Sequence, residues 1–117
     1  MGQASNSFVG DGSIVGGGNV EGAYRVIVDF SGGPLEKLKP KAPVIGNVTA
    51  LEGGEILEHF VEYNAPLRSW RLSLLARPAA DKPLSLRAFL AAADRPLTET
   101  WTYRLPSGND ILPEGKR

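Results

Sequence analysis

Residues 84–105, Leu84-Ser85-Leu86-Arg87-Ala88-Phe89-Leu90-Ala91-Ala92-Ala93-Asp94-Arg95-Pro96-Leu97-Thr98-Glu99-Thr100-Trp101-Thr102-Tyr103-Arg104-Leu105, decide the fold class. Two alternating apolar runs are joined by Asp94-Arg95-Pro96. Leu84, Leu86, Ala88 and Leu90 fall on one side of the first run. Leu97, Trp101, Tyr103 and Leu105 share a side of the second, with Glu99 interrupting them. A half-buried strand needs this period of two, because successive side chains leave it on opposite faces. The alanines of 88–93 suit a helix, but the Leu-x-Leu alternation and the following Pro96 favour a strand.

The same pattern recurs upstream. In 70–77, Trp70, Leu72, Leu74 and Ala76 point inward, and Arg71, Ser73 and Arg77 outward. In 24–30, Tyr24, Val26, Val28 and Phe30 share a face, and Ile27, between Arg25 and Asp29, points the other way. Residues 44–51 and 56–63 are two further strands, and Gly53-Gly54 between them is a hairpin signal. The second of these is apolar on both faces: Ile56 and Phe60 on one, Leu57, Val61 and Tyr63 on the other. Its core side is therefore open. Pro34 suits the start of a helical turn at 35–38, which Pro40 and Pro43 stop. No longer stretch has helical spacing.

Six strands, with one or two more possible, separated by turn signals, predict an all-β sandwich with at most one helical turn. The sandwich is expected over 23–105. Residues 1–22, rich in Gly, Ser and Asn, read as a flexible lead-in in which 8–9 and 13–15 could add a short edge strand. Residues 106–117 read as a frayed tail. Gly10-x-Gly12 is not a phosphate loop, since no strand precedes it and no helix follows.

Length and composition narrow the chemistry. At 117 residues the chain is one domain and can bury a core without staples. It has no cysteine, so disulfides and thiolate metal sites are excluded. Thirteen basic and thirteen acidic residues cancel and are scattered, which argues against nucleic acid. No apolar run approaches the ~20 residues of a membrane span. The start has no basic region followed by an apolar one, so no signal peptide is visible.

No catalytic, metal or cofactor constellation assembles. Glu58 and Glu62 share a strand face but stand roughly 13 Å apart, too far for a direct pair. His59 is the only histidine and alternates to the other face, so it reads as a surface residue without metal or catalytic partners. Trp70 and Trp101 are in phase with the core pattern and read as core. Tyr63, beside the 64–68 loop, is the better candidate for an exposed aromatic.

The string Tyr24-Arg25-Val26-Ile27-Val28-Asp29-Phe30-Ser31-Gly32-Gly33-Pro34-Leu35 resembles the opening of the C-terminal domain of the periplasmic glucans biosynthesis G/D proteins, the osmoregulated periplasmic glucan proteins. Trp70-Arg71-Leu72 with Pro78, Leu86-Arg87-Ala88-Phe89-Leu90, and Leu97-Thr98-Glu99-Thr100-Trp101-Thr102-Tyr103 continue the resemblance in order, over 21–104. It implies a secreted, periplasmic parent of two domains. A large N-terminal β-sandwich carries the cleft and the acids that act on β-1,2-linked glucan, and a small C-terminal domain is immunoglobulin-like. This chain resembles the second, a β-sandwich of about seven antiparallel strands, and would be a fragment of a longer precursor. No family catalytic acid maps onto it.

The implied role is a non-catalytic accessory domain that packs against the N-terminal glucan-active domain. Ile27 beside Arg25 and the Leu57, Val61 and Tyr63 face are the expected contact surfaces. An independent module binding β-glucan through Tyr63 and Trp70 is the alternative. Tyr63, Arg68 and His59 are the candidate interdomain or sugar contacts.

Overall fold

A computed structural model describes residues 1–13, 19–51, 53–93 and 95–106. They form eight strands: β1 (Gln3–Ser13), β2 (Asn19–Ser31), β3 (Ile45–Leu51), β4 (Gly54–Asn64), β5 (Ser69–Pro78), β6 (Leu84–Ala92), β7 (Arg95–Pro96) and β8 (Trp101–Leu105). One sheet has the order β1-β2-β5-β4, antiparallel throughout. In the other, β3 pairs one side of β6, and β7 and β8 pair the other. With β7 and β8 counted as one broken strand, the two sheets have the ABED and CFG orders of a constant-type immunoglobulin sandwich. The expected all-β, immunoglobulin-like architecture is the one observed.

The core lies between the sheets. Val26, Val28, Phe30, Trp70, Leu72 and Leu74 come from the first sheet, and Leu84, Leu86, Ala88, Leu90 and Leu105 from the second, all buried. These are the inward positions of the alternating runs. Tyr63, Val61, Ile56 and Trp101 pack partly buried against them.

Four expectations change. Residues 3–13 of the supposed lead-in are β1, paired with β2 from Gln3 opposite Ser31 to Ser13 opposite Asn19, with register shifts between Ala4 and Asn6 and between Asp11 and Ser13. Main-chain pairing holds this strand, so its glycines and serines did not betray it; residues 14–18 lie outside those described. The tail beyond Pro106 also lies outside the described residues. Next, 97–105 is not one continuous strand. After β7 the chain leaves β6 at Leu97–Thr98, where Thr98 forms a parallel bridge with Gly2. Gly2 N donates to Leu97 O at 3.0 Å, and Glu99 N donates to Gly2 O at 2.8 Å. The buried Thr98 hydroxyl accepts from Leu90 N at 3.0 Å, so its side chain replaces a ladder bond there.

The Gly53-Gly54 turn does not close a hairpin. β3 pairs β6 and β4 pairs β5, so the turn carries the chain from one sheet to the other. Finally, the helical turn expected near Leu35 is a 3-10 turn at Gly33–Lys37, and a second occupies Ala65–Leu67, where Pro66 favours it.

Candidate functional site

The outer face of the β1-β2-β5-β4 sheet carries three transverse rows, set by strand register. The first holds Asn6, Asp29, Arg71 and Glu62; the second Phe8, Ile27, Ser73 and Phe60; the third Gly10, Arg25, Leu75 and Glu58. Directly paired residues of neighbouring strands point to the same side, so each row is a line of adjacent side chains.

Four of the five charged members pair among themselves, and Glu62 adds its charge beside Arg71. Arg71 donates Nε to Asp29 Oδ1 at 2.8 Å and Nη2 to Oδ2 at 3.1 Å, a bidentate fork. Asp29 is 1% exposed, so its charge depends on that fork. The hydrogen bonds Arg71 donates to Asp29 raise its pKa above the ordinary arginine value, against the lowering effect of burial; the charges of Asp29 and Glu62 add to the rise. Arg25 donates to Glu58 and, at 3.2 Å, to the Ser73 hydroxyl. Its guanidinium also lies 5.9 Å from the centre of the Phe60 ring. Beyond these rows Arg77 pairs with Glu55.

The apolar members are less complete. Leu75 is 1% exposed although it points away from the core, whereas Phe8 is 49% and Phe60 37% exposed. The face thus combines internally paired charges with an open apolar strip.

The residues singled out from sequence are only partly gathered. Tyr63 is half-buried, its ring centre 5.2 Å from that of Trp70 at 57°. It lines a shallow groove of about 400 Å³ with Glu62, Asn64, Ala65, Pro66 and Arg71. Arg68 is exposed beside it, in a left-handed conformation (φ 50°, ψ 43°) that ends the second 3-10 turn. His59 is exposed on β4 opposite Leu74 and does not line that groove. Trp70 is 3% exposed, so it cannot stack on a sugar. Nor do Leu57, Val61 and Tyr63 form a docking face. A bulge between Ile56 and Glu58 resets the alternation, turning Ile56, Val61 and Tyr63 toward the core and Phe60 outward. Ile27 beside Arg25 does lie on the outer face. Phe8 and Phe60 were missed: Phe8 sat in the supposed lead-in, and the bulge could not be read from the sequence.

A second depression, of about 320 Å³, lies where β1 meets the start of β8, lined by Gln3, Ala4, Glu99, Thr100, Trp101 and Thr102. Beside it the Trp101 and Tyr103 rings stack 5.7 Å apart at 2°. Glu99 is tied into the fold by its main chain, and its exposed carboxylate faces no second acid in this lining. Among the described residues no group of three His, Cys, Asp or Glu could hold a metal ion, and no helix is long and apolar enough to cross a membrane.

Sheet order and surface together define a small immunoglobulin-like module whose buried carboxylate is held by an arginine. The chain belongs to the periplasmic glucan biosynthesis family: the family model described as "Periplasmic glucan biosynthesis protein, MdoG" matches residues 1–105. Glucans biosynthesis protein G of Dickeya dadantii is 39% identical over 88 residues, covering 74% of this chain and 17% of that protein. The protein of the same name from Pseudomonas aeruginosa is 39% identical over 89 residues, with the same coverage. That from Serratia proteamaculans is 39% identical over 88 residues, again covering 74% and 17%. The chain spans about 17% of the length of these curated relatives.

Proposed function

We propose that this chain is a non-catalytic accessory domain of a periplasmic protein of osmoregulated β-1,2-glucan biosynthesis or processing, packed against a glucan-active N-terminal domain of the same polypeptide. Family membership supports the pathway. The observation that carries the accessory role is the pairing of acids with arginines: Asp29 with Arg71, Glu58 with Arg25, and Glu55 with Arg77. Hydrolysis of a glycosidic bond needs two carboxylates facing one another across the bond, one of them carrying a proton. These acids instead face cations on neighbouring strands.

The reading is tested in the full-length protein. Removing this domain is expected to lower glucan output or the yield of folded protein. Unchanged glucan turnover would defeat it. The Tyr63 groove favours the alternative of direct β-glucan binding, although Trp70 no longer contributes a ring. Titration of β-1,2-glucan into the domain at millimolar concentration, followed by NMR, decides. Shifts confined to Tyr63 and its neighbours would establish sugar binding, and an unchanged spectrum would remove it.

A further inference from the structure

We infer that the outer face of the β1-β2-β5-β4 sheet, centred on Phe60 and Ile27, is covered in the parent protein by another folded part of the same polypeptide. The inference rests on the accessory-domain reading and deepens it by naming the surface.

Three observations carry it. First, Phe8, Ile27 and Phe60 lie in one row on β1, β2 and β4, interrupted on β5 by the buried Ser73, with the two phenylalanines 49% and 37% exposed at its ends. Apolar patches of this kind on a sheet face mark interaction surfaces. Second, the charges flanking the strip are spent on one another. Arg25 is bound to Glu58 and Ser73, and Arg71 to Asp29. Glu62, exposed at the end of the first row, leaves a single negative charge over, which disfavours a polyanion and is too little to draw a polycation. A sugar would find the arginines and their paired acids already engaged, so the chemistry suits a protein surface that meets the phenylalanines with apolar groups. Third, the curated relatives carry more than four-fifths of their length outside the matched segment, so a covalent neighbour is present at high effective concentration. An inter-domain contact within one chain is modest in area and fairly polar, as this face is.

Thiol labelling of the full-length protein tests this. The segment has no cysteine, so an introduced one reports a single position within it, followed on its own peptide. Phe60→Cys and Phe8→Cys are compared with Leu67→Cys and Arg87→Cys, at exposed positions off this face. Each rate is normalised to that of the same variant unfolded in urea, and an unchanged far-ultraviolet spectrum confirms folding. The two phenylalanine positions should label about tenfold more slowly than the controls, as buried positions do. Equal rates overturn the inference. Protection that disappears on dilution assigns the face to a second copy, and protection that requires added β-1,2-glucan assigns it to the sugar; both overturn it. The domain deletion separately reports the accessory role. If glucan output survives the deletion while Phe60→Cys stays protected, the role fails and the covered face stands.

Discussion

Asp29 is the residue whose environment differs most from what a strand pattern conveys. Alternation places it on the outward side, and that is correct. Alternation gives direction, not depth, and Asp29 is nevertheless buried. Its depth comes from lying between two strands and beneath the Arg71 fork, a contact 42 residues away in sequence. The pair should respond asymmetrically to mutation. Arg71→Ala leaves a buried carboxylate with no cation and is expected to cost ~3–4 kcal/mol. Asp29→Ala leaves an arginine whose side chain is 29% exposed and reaches water, so its cost should be smaller, roughly 1–2 kcal/mol. Urea unfolding of both variants checks the order; equal losses, or a greater loss for Asp29→Ala, would refute it. A pH prediction follows from the raised Arg71 pKa. A raised pKa gives stability that is fully present below the unfolded-state value and lost only as pH rises through the folded-state value. Both lie far into the alkaline range, so Arg71 should contribute no slope to stability around neutrality.

At the scale of the element, the inward faces of β2, β5 and β6 were legible because each buries an unbroken alternating run. β4 was not, since its apolar residues fall on both parities. The bulge at Leu57 reconciles them: Ile56 before it and Val61 and Tyr63 after it all turn inward. β1 was illegible for the opposite reason, having main-chain partners but few apolar side chains. The β3–β4 connection shows how a correct turn signal can carry the wrong topology. Gly53 sits at φ 77°, and a Cβ there would run into the Pro83 carbonyl oxygen, so the corner needs glycine for its close approach to the β5–β6 connection. Gly53→Ala is therefore expected to destabilise by ~2 kcal/mol or more, combining left-handed strain with the backbone clash. Gly10→Ala is the control. Nothing lies within 4 Å of its Cβ position, so the change should be neutral or stabilising by a few tenths, up to ~1 kcal/mol. Thermal unfolding of the two variants distinguishes a corner that requires glycine from one that merely contains it.

For the whole molecule, the decisive feature is that two sheets share one core, and neither has a second apolar layer large enough to stand alone. The main chain also ties them together, covalently at the Gly53-Gly54 corner and by hydrogen bonds at the Gly2–Thr98 bridge. The fold class was readable because burying one face of each strand demands a partner sheet; the covered outer face was not, because strands distant in sequence must be aligned before its rows appear. Shared burial predicts that the sheets unfold together. The two tryptophans report on them separately, Trp70 in β5 and Trp101 in β8. In Trp101→Phe and Trp70→Phe variants, each keeping one tryptophan, fluorescence should trace the same urea transition once the small stability change of each substitution is measured by circular dichroism. Adding Leu72→Ala, at a fully buried position of the first sheet, should cost ~3 kcal/mol through the lost methyls and the cavity left behind. It should lower both midpoints equally, although Trp101 lies in the other sheet. If Leu72→Ala moved the Trp70 transition and left that of Trp101 in place, the sheets would be separate cooperative units and the single shared core would be the wrong description.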